Sequence, residues 1–559
     1  MTTGLPELSA VETGPATRVL LVFPKFNPNS FWSFKEPCEL QGNKTSTPPL
    51  GLITVAAMLP AHWHVRLIDR NAQELSEADL DAADVVFTGG MLPQEPDAIK
   101  VIRMCKARGV PVCVGGPAPT SSPQYYEEAD FQVLGEAESV IDEFIAAWER
   151  GDRSGRFVAP RFQADVTKTP VPRYDLLDFS NYLYIGLQYS RGCPFTCEFC
   201  DIIELYGRKP RTKAAPQVLA ELQRLYDLGY RGHVDFVDDN LIGNKKAVKL
   251  FLPELIKWQE AHGYPFQFST EASLNLSDDQ DLLNLMRMAN FFVVFVGIET
   301  PDTDTLNQTQ KKQNTRRSIA ESVHRIYAAG IFVTAGFIVG FDSEKGSVAQ
   351  AMAECVRDTA IPSAMVGLLT ALPNTQLQRR LEREGRLFSE YSRVSTETGD
   401  QCTAGLNYVT SRPRREILED YRRVLAEVYD PRVFFERVRF VGLALNRPVF
   451  AAAKPSWPKI FRDLRSLGRI CWRMTLRRPE LAGHFWGTFF LILRRNPRAL
   501  EAAIMNMVLY LHLYPFSHYV IAELDRRIAA IDDGTHFDPP VMPANTQESC
   551  ATKPLAAVA

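Results

Sequence analysis

A secretory leader is the first thing the sequence lacks: Met1–Gly14 has neither a basic start nor an apolar run. The expected location is the reducing cytoplasm, where disulfides are excluded and clustered thiols point to metal or redox chemistry. Charge excess is missing too. A formal net charge of -3 excludes a whole-chain attraction to nucleic acid. No nucleic-acid module is recognisable, so nucleic acid is not an expected partner, and no internal repeat is visible. Cysteine is sparse, ten in 559 residues. Cys38, Cys105, Cys113, Cys355, Cys402, Cys471 and Cys550 stand alone, as small buried hydrophobes would. A hydrophobic share of 45% and a charged share of 23% are ordinary for a globular chain, here long enough for two or three domains.

Along the chain, residues 1–16 are polar and aperiodic and read as a disordered lead-in. From 17 to 147, apolar runs at Arg18–Phe23, Val65–Asp69, Val85–Thr88, Val112–Val114 and Phe131–Leu134 alternate with helical stretches. That is the pattern of a Rossmann-like, doubly wound parallel sheet in an α/β fold. Three strands run into glycine, at Gly89-Gly90, Gly115-Gly116-Pro117 and Gly135-Glu136, on the edge where such sheets bind ligands. Glycine there either lets a large ligand approach the backbone or makes a tight turn. Residues 148–178 read as a linker. From 179 to 410, strands at Tyr184–Tyr189, Val234–Val237, Phe266–Thr270, Val293–Ile298, Phe332–Val339 and Met365–Thr370 alternate with helices. About six units predict a partial or full TIM-like (β/α) barrel. Residues 411–530 read as mostly helical and 531–559 as a disordered tail.

Three cysteines break the scatter. Cys193, Cys197 and Cys200, spaced C-x3-C-x2-C, follow the first barrel strand, on the face where strand C-termini gather. Three thiolates can hold a [4Fe-4S] cluster and leave one iron without a protein ligand. The open iron can chelate the amino and carboxylate groups of S-adenosylmethionine, whose reductive cleavage yields a 5′-deoxyadenosyl radical. A zinc site would need a fourth Cys or His at short spacing, and the nearest following histidine is His233. A two-cluster ferredoxin would need a C-x2-C-x2-C run. Neither fits.

The motif resembles the signature of the radical S-adenosylmethionine superfamily, with Phe199 as the aromatic before the third cysteine. The resemblance implies further contacts to S-adenosylmethionine at later strand ends. Asp238 and Asp239 would receive the methionine amino group, and Glu271, Gly297 and Glu299 the ribose and carboxylate. The strand through Gly336, Ile338 and Gly340 would lie along adenine. A carboxylate at a strand end could equally cap the following helix.

The N-terminal sheet, through Pro48–Gly51, Gly115–Thr120 and Gly135–Glu138, is similar to the cobalamin-binding domain of the B12-dependent radical class. Gly89, Gly90, Gly115, Gly116, Pro117, Gly135 and Glu136 are then implied cobalamin contacts. The D-x-H-x-x-G run of many such domains is absent: the loop Pro24–Trp32 has no histidine, which implies cobalt without a protein histidine beneath it. A Rossmann-like domain for another ligand, or for none, is the alternative. Residues 18 to about 530 together resemble cobalamin-dependent radical enzymes with a helical C-terminal extension, a group that includes hopanoid C-2 methylases. The implied activity is methylation of an unactivated carbon from methylcobalamin, with electrons from a donor such as a flavodoxin or ferredoxin. The alternatives are radical oxidation, cyclisation or rearrangement, and a cobalamin or redox sensor without catalysis.

Between Pro431 and Leu500, fifteen Lys and Arg stand against three Asp and Glu, and Ala502–Ala522 has no charged residue. That length could span a bilayer, but Asn506, His512, Pro515 and His518 interrupt it. The arginine-rich flank suits a helix lying on a membrane. A helical bundle packed on the barrel, its arginines solvated, is the other reading. A small hydrophobic or lipid substrate, with peripheral membrane contact, is the resulting expectation.

Overall fold

The computed structural model describes residues 16–389, 401–448, 450 and 457–542. The lead-in up to residue 15, the side chain of Cys402, Cys550 and the tail from 543 onward lie outside the described residues.

The first sheet is parallel throughout and has six strands. These are β1 (Arg18–Phe23), β2 (His64–Asp69), β3 (Val85–Gly89), β4 (Val112–Gly115), β5 (Phe131–Leu134) and β6 (Gly155–Val158), in the order β2-β1-β3-β4-β5-β6. Helices cover both faces, so the central strands β1, β3 and β5 are buried and read as continuous apolar runs. The last strand corrects the expectation of a bare linker at 148–178. Phe131 to Leu134 pair in register with Gly155 to Val158. This edge strand is only half covered, with alternate residues exposed, so its short Gly-Arg-Phe-Val sequence carries no buried-strand signal.

The second sheet is also parallel. It comprises β7 (Ile185–Leu187), β8 (Gly232–Phe236), β9 (Phe266–Glu271), β10 (Phe291–Glu299), β11 (Phe332–Val339) and β12 (Ala364–Leu368), paired in chain order from β7 to β12. Among the described residues its two end strands do not pair with each other, so the barrel is partial. Its outward faces pack into one apolar core that runs on into the C-terminal helices.

Seven helices bear on the site and its surroundings: α1 (Lys35–Gln41), α2 (Gln376–Arg383), α3 (Arg414–Val428), α4 (Pro431–Ala444), α5 (Trp457–Trp472), α6 (Pro479–Arg495) and α7 (Leu500–Asp532). The charge-free stretch at 502–522 lies within α7, a 33-residue helix buried on several faces against α1, α3, α4 and α6. A helix that is apolar all round needs to be surrounded, and a bundle satisfies that as well as lipid does. Among the described residues no helix is long and apolar enough to cross a membrane. The expected tail begins later than 531: helix α7 runs to Asp532, and Ser389 and Met542 donate backbone hydrogen bonds that bind the strand around Val541 to Phe388.

Candidate active site

Four segments distant in sequence hold the cysteine loop. From below, Asp238 accepts hydrogen bonds from the Tyr189 amide at 2.9 Å and the Ser190 hydroxyl at 2.5 Å, and from the Ser190 amide. Asp239 accepts from the Gly192 amide at 3.3 Å. Gly192 has φ +95, and a Cβ there would stand 2.8 Å from the Gly207 carbonyl oxygen, so only glycine fits. On one flank, Glu198 donates its amide to Thr309, and Thr196 donates to Gln310 at 3.0 Å. On the other, α2 supplies the ion pairs Arg380–Glu198 at 3.1 Å and Arg379–Glu204 at 2.7 Å.

The fourth anchor comes from the first sheet. Arg191, two residues before Cys193, pairs with Glu138 at 2.6 Å and Glu136 at 3.1 Å, and Arg211 reaches Glu136 at 2.9 Å. All four side chains are largely buried. Both oxygens of Glu136, an expected cobalamin contact, pair with Arg191 and Arg211, which lie in a short antiparallel ribbon beside the cysteine loop.

The thiols of Cys193, Cys197 and Cys200 gather in this loop. The Asn240 side-chain amide lies 3.8 Å from the Cys193 sulfur, and that of Gln313 lies 3.7 Å from Cys197. Burial pushes the Cys193 and Cys200 thiols above the usual range. Among the described residues no three His, Cys, Asp or Glu groups converge as a single metal ion would need. A cubane cluster instead keeps its thiolates apart, on separate irons.

Beside the thiols, strand register lines up an inner floor. Asp235 pairs with Ser269, Glu271 with Phe295, and Gly297 with Gly336. Glu271 is accessible to solvent although protein crowds around it, so it faces a hollow rather than the open surface. Burial, then Asp239 and Asp235, push its carboxyl up to about 8. Burial likewise brings Asp239 to about 7. Asp238, only 1% exposed, has both oxygens taken by Tyr189 and Ser190, whereas the adjacent Asp239 is half-buried and accepts from the Gly192 amide. Glu299 sits at a register shift in β10 with φ +70, a strained conformation for a non-glycine residue. It pairs with Lys311 at 2.6 Å. Burial disfavours the Lys311 ammonium, but Glu299 and Cys197 outweigh it and hold the lysine charged. The same ammonium stands 5.9 Å over the Phe199 ring, which leans on Phe341. Gly336 leaves room for the Phe295 ring, 3.1 Å from where its Cβ would be, whereas Gly340 makes room for Leu406. Ile338 is half-buried.

Lys311, Gln313 and the floor network around His233 carry no local sequence signal, whereas Asn240 directly follows the expected contacts Asp238 and Asp239. In that network His233 meets the Ser269 hydroxyl at 2.5 Å, and Ser269 donates to Asp235. Burial lowers His233 to about 3, so the imidazole is neutral.

Residues 187–355 match the radical SAM superfamily, residues 44–145 the B12 binding domain, and residues 375–526 a domain of unknown function (DUF4070). The chain is 44% identical over 513 residues to an uncharacterized methyltransferase of Synechocystis sp., covering 91% of this chain and 94% of that one. It is 35% identical over 516 residues to the hopanoid C-2 methylase of Rhodopseudomonas palustris, covering 90% and 94%. The chain belongs to the cobalamin-dependent radical S-adenosylmethionine methyltransferases. The fold of this methyltransferase is similar to the solved structure of the cobalamin-dependent S-adenosylmethionine radical enzyme OxsB. That match has a TM-score of 0.55 at 17% identity and covers 94% of this chain and 82% of the other.

The residues of the methyltransferase fit its cofactors. Three thiols, two of them beside side-chain amide donors, form a donor set for an iron–sulfur cluster. Two crowded carboxyls, Asp239 and Glu271, have raised pKa values and would be stabilised by a ligand that brings positive charge. The glycine edge of the first sheet is laced tightly: a Cβ on Gly89 would lie 1.8 Å from the Gly115 oxygen, and one on Gly115 2.9 Å from the Val133 oxygen. Gly116 is exposed at φ +96 beside Gly90 and Pro117, and Gly135 has φ +87, so this edge presents bare backbone. The histidine-free loop is built into the wall. Phe31 packs on Phe516 of α7 at 4.6 Å, and Trp32 reaches Phe295 of β10 at 5.5 Å.

Proposed function

We propose that this methyltransferase adds a methyl group to an unactivated carbon of a hydrophobic, lipid-like substrate of the hopanoid type. The observation that carries the reading is the 35% identity to a hopanoid C-2 methylase along nine-tenths of the chain. The aromatic wall that Trp32, Phe34 and Phe295 raise beside the hollow supports it.

In this reading residues 17–147 bind cobalamin, 179–410 form the radical barrel and 411–530 face substrate and membrane. Cys193, Cys197 and Cys200 would hold the [4Fe-4S] cluster. Asp239, Glu271 and Glu299 would hold the polar groups of S-adenosylmethionine, and the edge from Gly89 to Gly135 the cobalamin. When bound, these groups supply a carbon-centred radical and a transferable methyl group, with electrons from a flavodoxin- or ferredoxin-like donor. The chain's own part is placement. Asp238 and Arg191 fix the cysteine loop against both sheets, Lys311 holds Glu299 in place through an ion pair, and Trp32 with Phe295 forms an apolar wall beside the hollow.

Anaerobic reconstitution with and without cobalamin, followed by mass spectrometry of a treated membrane-lipid extract, tests the reading. A lipid heavier by one methylene should appear only with cobalamin, beside 5′-deoxyadenosine and S-adenosylhomocysteine. Formation of 5′-deoxyadenosine without S-adenosylhomocysteine would point to oxidation or cyclisation and overturn the proposal.

A further inference from the structure

The stretch that most resembles a membrane segment, at 502–522, is used up inside the bundle. A different surface is left over. Between Trp457 and Leu500 the sequence holds ten Lys and Arg against two Asp and Glu, in a chain whose net charge is -3. On α5, Phe461, Leu464 and Trp472 are 71%, 61% and 46% exposed, and Leu476 just beyond is 69% exposed. Their spacing puts them on one helical face. Helix α5 passes into α6 through a π-helical turn, Arg473–Arg477, whose Met474 is fully buried. The extra residue of a π turn rotates the next helical segment about its axis. The apolar stripe then continues onto α6. The Trp486 indole donates to the Thr475 hydroxyl at 3.0 Å, and its ring stacks at 5.6 Å on Phe490, itself 58% exposed.

Arginines border the stripe. The Arg477 guanidinium stands 5.0 Å over the Trp472 ring, and Arg494, Arg495 and Arg498 are exposed at the far end of α6. Arg473, Arg477 and Arg478 also line a cavity of about 460 Å³ shared with Glu36, Leu511 and Pro515. Tryptophan and phenylalanine flanked by arginine, with ten cations against two anions between Trp457 and Leu500, complement the boundary between acyl chains and anionic headgroups. The surface lies one helix from the barrel: Arg469 of α5 donates to the Leu40 carbonyl of α1, and α1 comes directly after Trp32 and Phe34 beside the hollow.

We propose that the α5–α6 hairpin docks this enzyme on an anionic lipid bilayer, with Trp472, Leu476 and Phe490 at the acyl boundary and the arginines on lipid phosphates. An apolar substrate then enters beside α1 without crossing water. The inference rests on the lipid-like substrate proposed above, but its test does not use turnover.

The test is flotation of the reconstituted full-length enzyme with vesicles of phosphatidylcholine, with or without phosphatidylglycerol. The enzyme should float with the anionic vesicles at low salt and dissociate at high salt. The exposed-site variant L476E/F490E should lower partitioning by at least about tenfold, and R494A/R495A by about fivefold per charge. Both should keep the wild-type melting profile and cleave S-adenosylmethionine normally. Brominated-lipid quenching of wild-type fluorescence that drops in Trp472→Phe gives support that needs no charge-introducing variant. An enzyme that stays in solution at low salt overturns docking, as does equal binding to both vesicle types. A dimer in sedimentation that L476E/F490E disperses also overturns it, because the stripe is then a self-interface. Vesicle binding without any methylated lipid leaves docking standing and rejects the substrate reading instead.

Discussion

The two sheets share strand number and direction, and both gather their strand C-termini at one edge, yet those edges are built from opposite materials. The first ends in glycines that lace strand to strand and present backbone. The second ends in thiols, carboxyls and a buried lysine, each held by side chains from elsewhere in the chain. A large ligand bound over much of its surface needs close backbone approach and few side chains. A small, charged, reactive one needs directed polar groups whose positions do not drift. The same parallel architecture serves both because function resides at the strand ends, not in the strands.

Substitutions that act on one edge and spare the other would sharpen this contrast. The largest effect is expected for Cys197→Ala: iron–sulfur absorption and S-adenosylmethionine cleavage should vanish, while cobalamin still copurifies. Arg191→Met breaks the joint between the edges and leaves Glu138 buried without its cation, held only by the Thr169 hydroxyl, so urea melts should show a loss of about 3–5 kcal/mol. Gly116→Val forces a branched side chain into a left-handed conformation. It should lower stability by about 1–2 kcal/mol and weaken cobalamin binding in spectral titrations, while S-adenosylmethionine cleavage persists.

The smallest effect concerns α2, which braces the cysteine loop from outside. Burial alone would raise the Asp342 carboxyl, but hydrogen bonds from Arg386 and Arg380 outweigh it and bring the pKa to about 2. A depressed carboxylate stabilises the fold above its unfolded pKa, and that contribution is lost as pH falls through the folded one. Asp342→Asn should therefore cost about 1 kcal/mol at neutral pH after allowance for screening. Melts of the variant and wild type should converge as pH falls from about 4 to about 2. A gap that stays constant with pH would assign the loss to packing.

Much of this was legible because it is local. Three cysteines within eight residues, the buried strands Arg18–Phe23, Phe131–Leu134 and Phe332–Val339, and glycines at strand ends all declare themselves over a few positions. Strand β6 did not, because an edge strand covered on one side needs no apolar run. Asp238 and Asp239 are adjacent in sequence, and only the path of Tyr189 and Ser190 decides which carboxylate is sealed and which keeps some exposure. Glu136 lies in the motif expected to meet cobalamin, but Arg191 and Arg211, more than fifty residues away in sequence, claim it.

The sequence by itself determined which chemistry the chain can carry. Thiol spacing, strand periodicity and charge composition are set by covalent order and survive any packing. Tertiary structure alone decided which groups are spent on holding the site and which remain open to a ligand. It also decided that the charge-free stretch at 502–522 packs within the bundle, while the stripe from Phe461 to Phe490 faces outward. Burial, ion pairing and exposure depend on neighbours brought together from distant parts of the chain, and no local pattern encodes them.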